Sequence, residues 1–308
     1  MTASRRSPPP LVVAGALGYD EVTTAEGDPF HDLGGSAAYA ALAGAFTTEV
    51  VLLSRVGGDF RQQDRQLLRD RGVRLDHLEQ DFGKASFRWA AVYRDAGETR
   101  ETTGLEPGAF VDFRCRWPGG LQAGAVQMGS IAPPMQWRLL ETMPQDLPFA
   151  FDSFPHWIEA YPEEVDRILR RAAFITLNEE EIRILTGKED AREGARFLFR
   201  KYHPTAVILK LGRRGIRVLG RDAEFSLPAL RVKGPVETTG AGDSFAGAFL
   251  AKWLEEPVSG PARLRAAAAH ASAVAAAAVS ATGIRGLLNA APSSFSCSAD
   301  ALLRVSST

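Results

Sequence analysis

The sequence is short of thiols: Cys115 and Cys297 are the only cysteines in 308 residues. Two thiols cannot build a zinc site between them. In a chain of this length they point to a reducing compartment, the cytoplasm, rather than to a disulfide scaffold. Net charge is missing as well. Lys and Arg number 36 against 37 Asp and Glu, interspersed, so no basic stripe offers itself to nucleic acid and no basic amphipathic helix to a membrane surface. Long apolar runs are also absent. The most apolar late stretch, AAAAHASAVAAAAVSA (266–281), is mostly alanine broken by His270 and serines, and it falls short of a membrane span. It reads as a buried helix. The opening MTASRRSPPP leads only into the short run LVVAGAL, without a signal-peptide core, so residues 1–9 read as a loose arm. No fixed-period repeat and no Ser/Gly linker divides the remainder, and residues 10–308 are expected to form one domain whose partner is a small molecule.

What is present is a globular composition, 45% hydrophobic and 24% charged, arranged as alternating strands and helices. LVVAGAL (11–17), EVVLLSRVG (49–57), GAVQMGSI (124–131), LPFAFDS (147–153), AAFITLN (172–178) and TAVILKLG (205–212) read as buried strands. Helices are expected at 36–46, 62–72, 134–143, 162–171, 179–186 and 190–202. Such alternation calls for a parallel sheet covered on both faces, with ligands bound beyond the carboxyl ends of its strands. One region breaks it. ASFRWAAVYRDAGETRETT (85–103) reads as a β-hairpin turning at DAG, and residues 19–33 as its partner strands, together a flap able to cover a substrate.

The stretch GPVETTGAGDSFAGAF (234–249) carries the chemistry. The first turn of a helix holds unpaired amides and the positive end of the helix dipole. Gly240, Ala241 and Gly242 let an anion approach them, and Asp243 sits where it can take a proton from an attacking hydroxyl. Helix capping alone accounts for the same residues. GDSF (242–245) also resembles the Gly-Asp-Ser-Leu box of a serine hydrolase family, with Ser244 as nucleophile, but the nearest Asp-x-x-His pair, Asp28 and His31, lies far upstream, in the wrong order. There is no G-x-S-x-G elbow, no H-E-x-x-H helix and no G-x-x-x-x-G-K-[ST] loop.

LGGSAAYAALAGA (33–45), TLNEEEIRILTG (176–187), VILKLGRRG (207–215) and VETTGAGDSFAGAF (236–249), in this order, resemble the ribokinase-like, or PfkB, carbohydrate kinases over residues 11 to about 288. The resemblance implies a three-layer α/β/α sandwich with a mostly parallel central sheet and a small β-lid, here residues 18–33 and 84–105. It implies transfer of the ATP γ-phosphate to a hydroxyl of a sugar or nucleoside. By the same resemblance Asp243 matches the catalytic base, and Gly240, Ala241 and Gly242 match the anion hole. Asn178 and Glu181 match the N-x-x-E motif that holds magnesium through water, while Lys210, Gly212 and Gly215 match nucleotide contacts. Taken alone, Asn178 and Glu181 equally spell a helix capping box. Arg213 and Arg214 read as a solvated tip.

On the acceptor side Asp20, Gly34 and Gly35 match substrate-binding positions. Arg88 and Tyr93 are lid candidates, although strand alternation turns only one of their two faces inward. The chain departs from the family pattern at two positions. Tyr39 stands where many members carry an asparagine, exchanging an amide for a stacking face. Glu237 stands where an aspartate accompanies a monovalent cation site, which leaves potassium dependence open. A monomer and a lid-mediated homodimer are both compatible with the resemblance, as is a protein that keeps the fold and has lost turnover.

Overall fold

Four wholly buried residues, Leu11 to Ala14, form β1 (Leu11–Ala14), the middle of the molecule. The computed structural model describes residues 9–24, 29–94, 99–232, 237–256 and 258–305. The expected arm thus falls, but for Pro9, outside the described residues. After β1 come β2 (Gly18–Thr23), β3 (Phe30–Gly34), α1 (Ser36–Gly44), β4 (Val50–Gly57) and α2 (Gln62–Asp70). Two short strands, β5 (Val73–Arg74) and β6 (Leu78–Asp81), lead to β7 (Phe87–Arg94) and β8 (Thr99–Glu106). The alternation resumes with β9 (Ala125–Met128), α3 (Pro133–Thr142), β10 (Phe149–Phe151), α4 (Pro155–Ala160), α5 (Pro162–Leu169), β11 (Phe174–Asn178), α6 (Glu179–Thr186), α7 (Ala191–Tyr202) and β12 (Ala206–Lys210). The sequence pattern had left unmarked α4 and the hairpin β13 (Ile216–Gly220) and β14 (Ala223–Leu227). Helices α8 (Ala241–Glu255), α9 (Gly260–Ala278), α10 (Arg285–Asn289) and α11 (Pro292–Val305) complete the chain. Among the described residues no helix is long and apolar enough to cross a membrane.

The large sheet runs β14-β13-β12-β11-β10-β9-β1-β4-β5, with β6 beside the far end of β4. It is parallel except at the β12-β13-β14 edge. Along β1, Leu11 and Val13 enter one apolar cluster with residues of α1, α8 and α9, while Val12 and Ala14 enter a second with residues of α3, α5 and α7. Alternation along one strand thereby divides the core into two layers, and the helices cover both faces. A second sheet, β3-β2-β7-β8, forms the lid, with β2 and β7 parallel and the other pairs antiparallel. The expected DAG turn of its hairpin lies outside the described residues.

The small residues of α1 have a packing purpose. A Cβ placed on Gly247 of α8 would stand 2.1 Å from the carbonyl oxygen of Ala40, so the two helices meet backbone to side-chain-free backbone. This contact brings α8 down beside β1 and aims its amino terminus at the carboxyl ends of the parallel strands. Gly247→Val is expected to destabilise the protein by about 1–3 kcal/mol or more, since neither backbone can yield without moving a helix. In urea unfolding it should lower the midpoint with little change in slope. An unchanged midpoint would show that α1 and α8 separate freely.

Candidate active site

The carboxyl ends of β1, β10, β11 and β12 lie along one edge of the sheet, and Asp20, Asp152, Asn178 and Lys210 gather there. Asp20, on β2, is buried and accepts the amide hydrogen of Gly35 at 3.1 Å. A Cβ on Gly34 would fall 2.2 Å from the Asp20 carboxyl carbon, so that glycine makes room for the acid. Gly35 adopts φ 83° and comes so close to Ala16 that a Cβ would lie 2.5 Å from its carbonyl oxygen. The paired glycines therefore place an acid against the start of α1 where no side chain would fit. Burial pushes Asp20 up to about 7, the Gly35 amide pulls the other way and Glu237 adds to the rise.

Tyr39 forms the floor. Its ring lies beneath Gly240, where a Cβ would stand 2.1 Å from Cδ1. Gly240 is the cap of α8 with φ 70°, a conformation in which glycine carries no steric penalty. The Tyr39 hydroxyl is buried beside Asp20 and opposes the rise of that carboxyl by hydrogen bonding to it. Burial holds it well above the usual phenol pKa, and the charges of Asp20, Glu237 and Asp243 add to this.

Asp243 lies half-buried in the first turn of α8. The Ala241 amide donates to the Thr238 carbonyl at 3.2 Å, whereas the amides of Gly242 and Asp243 have no partner among the described residues. Of the expected anion-hole positions, then, Gly242 rather than Ala241 offers an uncommitted donor, joined by Asp243 itself. Lys210 adds a cation there: a Cβ on Gly242 would stand 3.2 Å from Nζ. The ammonium is held by Asp152, with Nζ 3.1 and 3.2 Å from its two carboxylate oxygens. Asp152 follows β10 and is buried. Burial pushes Asp243 up to about 7, with Asp152 adding and Lys210 opposing.

Asn178 and Glu181 do form a capping box. The Asn178 side chain accepts from the Glu181 amide at 2.9 Å, and Glu181 accepts from the Asn178 amide at 2.8 Å and from its Nδ2 at 2.7 Å. Burial lifts Glu181 to about 7; Lys210 pulls it down and Asp152 pushes it up. The cap and the cluster thus share one carboxylate. Against the cost of burial, Asp152 and Glu181 keep the Lys210 ammonium above its ordinary range. Among the described residues no three Asp, Glu, His or Cys side chains close on one point to ligate a metal directly. These carboxylates suit a hydrated ion better than a bare one.

The lid contributes residues that local pattern left undecided. Tyr93 Oη is 2.8 Å from Thr239 Oγ1, tying β7 to the segment before α8. Arg88 faces the other way. It pairs with Asp59 at 2.7 Å and lies 5.8 Å from the Tyr19 ring centre, on the lid face away from Asp20, so the structure does not bring it to the cluster. Arg100 of β8 takes the inward place. Opposite Tyr93 in the ladder, it lies 5.6 Å from the Trp89 ring centre and 5.8 Å from that of Phe154, and its charge lowers Asp243. Neither Arg100 nor Asp152 was singled out from the sequence. Asp152 had a usable signal, an acid at the carboxyl end of a core strand.

Gly212 and Gly215 bracket the turn between β12 and β13, one residue beyond Lys210. Glu237 is buried, accepting from the Thr239 amide at 2.5 Å and the Gly283 amide at 3.1 Å through its two oxygens. Ser244 is wholly buried with no partner for its hydroxyl among the described residues, and His31 stacks instead on Tyr19 at 5.1 Å. Asp28 lies outside the described residues, and among the described residues a serine nucleophile has neither access nor a base. A cavity of about 290 Å³ between His203, Arg221 and Trp253 is remote from this chemistry, at the end of β12 opposite Lys210. What the cluster can do is hold an anion at the α8 terminus, steady cations with buried carboxylates, and present one acid to a hydroxyl.

A family model described as pfkB family carbohydrate kinase matches residues 13–290. The cytidine kinase of Thermococcus kodakarensis is 29% identical over 251 residues, covering 78% of this chain and 87% of that protein. The structure of a Burkholderia thailandensis nucleoside kinase in complex with inosine superposes with a TM-score of 0.78 at 19% identity, covering 95% of this chain and 98% of its own. The fructokinase from Vibrio cholerae O395 in its fructose, ADP and calcium ion bound form gives 0.76 at 21%, covering 93% and 98%. At these identities the two structures speak for the fold alone.

Proposed function

Since the chain belongs to the pfkB family of carbohydrate kinases, phosphotransferases with a hydroxyl acceptor on a sugar or nucleoside, we propose that ATP is its donor and Asp243 its base. The observation that carries this reading is the meeting of Asp243, two uncommitted amides and the Lys210 ammonium at the amino terminus of α8. Asp20 orients the acceptor from β2 of the lid. Asp243 takes the hydroxyl proton as the oxygen attacks. The amides of Gly242 and Asp243, with Lys210, receive the charge of the phosphoryl group in flight. Gly212 and Gly215 are read as the turn beneath the nucleotide, and the alanines of α9 as a wall with room for a flat base.

Magnesium, when bound, would offset phosphate charge. Glu181, with Asp152 and Asp243, would hold its waters. Glu237 spends both oxygens on amides and is read as a structural tie to Gly283 rather than as a ligand for potassium. Residues 10–308 are taken as one kinase domain acting in the cytoplasm.

The test is ADP formation against a panel of sugars and nucleosides. Turnover should appear only with an accepted substrate. For the free enzyme kcat/KM should fall as pH drops below about 7, because Asp243 is raised to about 7 and only its ionised form accepts the proton. ATP and acceptor that bind without turnover would instead mark a protein that has kept the fold and lost the reaction.

A further inference from the structure

The lid face that carries Asp20 offers flat apolar surface that a free sugar would leave uncovered. Directly paired residues of neighbouring strands share a face. Asp20 pairs with Trp89 across β2 and β7. Trp89 pairs with Leu105, and Tyr93 with Arg100, across β7 and β8. Trp89, Leu105, Tyr93 and Arg100 therefore line the same lid face as the acceptor acid. The irregularity between Ala90 and Ala91 does not break this, since Arg94 and Glu101 pair on the opposite face on its far side. Leu105 is 55% exposed on that face. From the body of the protein comes Phe154, two residues after Asp152, and its ring and that of Trp89 approach the same guanidinium.

A guanidinium is planar, and the place it takes against these rings suits another planar group. Tyr39 sets a buried hydroxyl beside Asp20 and Asp243, on the polar side of the same site. Resting on the kinase reading above, we infer that the acceptor is a nucleoside whose base stacks on Trp89 and Phe154. Its ribose hydroxyls face Asp20 and the Tyr39 hydroxyl, and its hydroxymethyl group faces Asp243. In the transfer the hydroxymethyl oxygen forms a bond to the γ-phosphorus, the bond from that phosphorus to the bridging oxygen breaks to release ADP, and the hydroxyl proton passes to Asp243. A free pentose or hexose satisfies the polar side of the site and leaves Trp89, Phe154 and Leu105 against water.

The experiment is calorimetric titration of the full chain with a non-hydrolysable ATP analogue present, comparing cytidine, adenosine and inosine with ribose and fructose. At least one nucleoside should bind roughly 10- to 100-fold more tightly than ribose, the range that stacking on one or two aromatic rings supplies. Trp89→Ala should remove most of that advantage while the ATP analogue and ribose bind within about twofold of their original affinity, and Trp89→Phe should restore much of it. Phe154→Ala provides the same comparison from the body side should the lid variant misfold. Ribose or fructose binding as tightly as every nucleoside would overturn the inference, as would variants that weaken free sugar and nucleoside alike. A free sugar phosphorylated in an Asp243-dependent reaction, with no nucleoside turned over, would overturn it and leave the kinase reading standing. No acceptor-dependent ADP formation with either class would remove both.

Discussion

Asp243→Asn is expected to lower kcat by about 10³–10⁴-fold while leaving the affinity for an ATP analogue within about threefold. Asparagine keeps the size of the side chain and the helix start, so the amides of Gly242 and Asn at 243 still face the anion. What is lost is the ability to take a proton. The same substitution should raise the melting temperature of the ligand-free protein. Asp243 ionises near 4 in an unfolded chain and at about 7 in the fold, where burial, Asp152 and Asp20 oppose the charge. A group whose pKa rises on folding lends stability that is complete below its unfolded value and lost as pH climbs through its folded value. At pH 8 the folded protein therefore bears the cost of that carboxylate, and the asparagine variant does not. The gain in melting temperature should be larger at pH 8 than at pH 5. Near-normal turnover would refute the base, and an unchanged melting temperature at pH 8 would refute the buried-charge account of this site.

Lys210→Met carries the second large effect, about 10²–10³-fold in kcat/KM for ATP, because it removes a preorganised cation beside the Gly242 amide. A pH profile distinguishes this from simple damage. Lys210 opposes the rise of Asp152, Glu181 and Asp243. Without it each of these carboxyls holds its proton to higher pH, so the acid limb of the rate profile should move upward and part of the lost activity should return in alkaline buffer. The limb belongs to the cluster as a whole, since groups this close titrate together. Breaking the buried pair also leaves Asp152 uncompensated, which favours its protonated form over a bare buried charge. A uniform loss of rate with an unmoved limb would show that Lys210 acts on the nucleotide alone.

Much of this site was legible because its signals are local. Buried runs located the core strands from β1 to β12 to within a few residues, and an acid three residues after a glycine that caps a helix located Asp243. Asn178 and Glu181 satisfied two readings at once, and both are compatible with the structure, since one carboxylate closes the cap and joins the cluster around Lys210. Tyr39 was recognised as a departure, and its consequence became visible only with its ring beneath Gly240. The lid was different. Alternation stated that Arg88 and Tyr93 lie on opposite faces, but no local pattern said which face meets Asp20. The parallel pairing of β2 with β7 decided it, turning Arg88 out to Asp59 and Trp89, Tyr93 and Arg100 in.

The sequence by itself determined the alternating α/β frame, the glycine-lined entry to α8 and the acid within it, because dihedral preference, hydrophobic period and helix capping act between residues close along the chain. Only the tertiary structure decided that Asp152 holds Lys210 at that entry and that Arg100 meets Trp89 and Phe154. Those contacts join residues 58, 11 and 54 positions apart. Their geometry depends on strand register and on how closely α1 lets α8 approach, which are properties of packing between elements rather than of any segment alone.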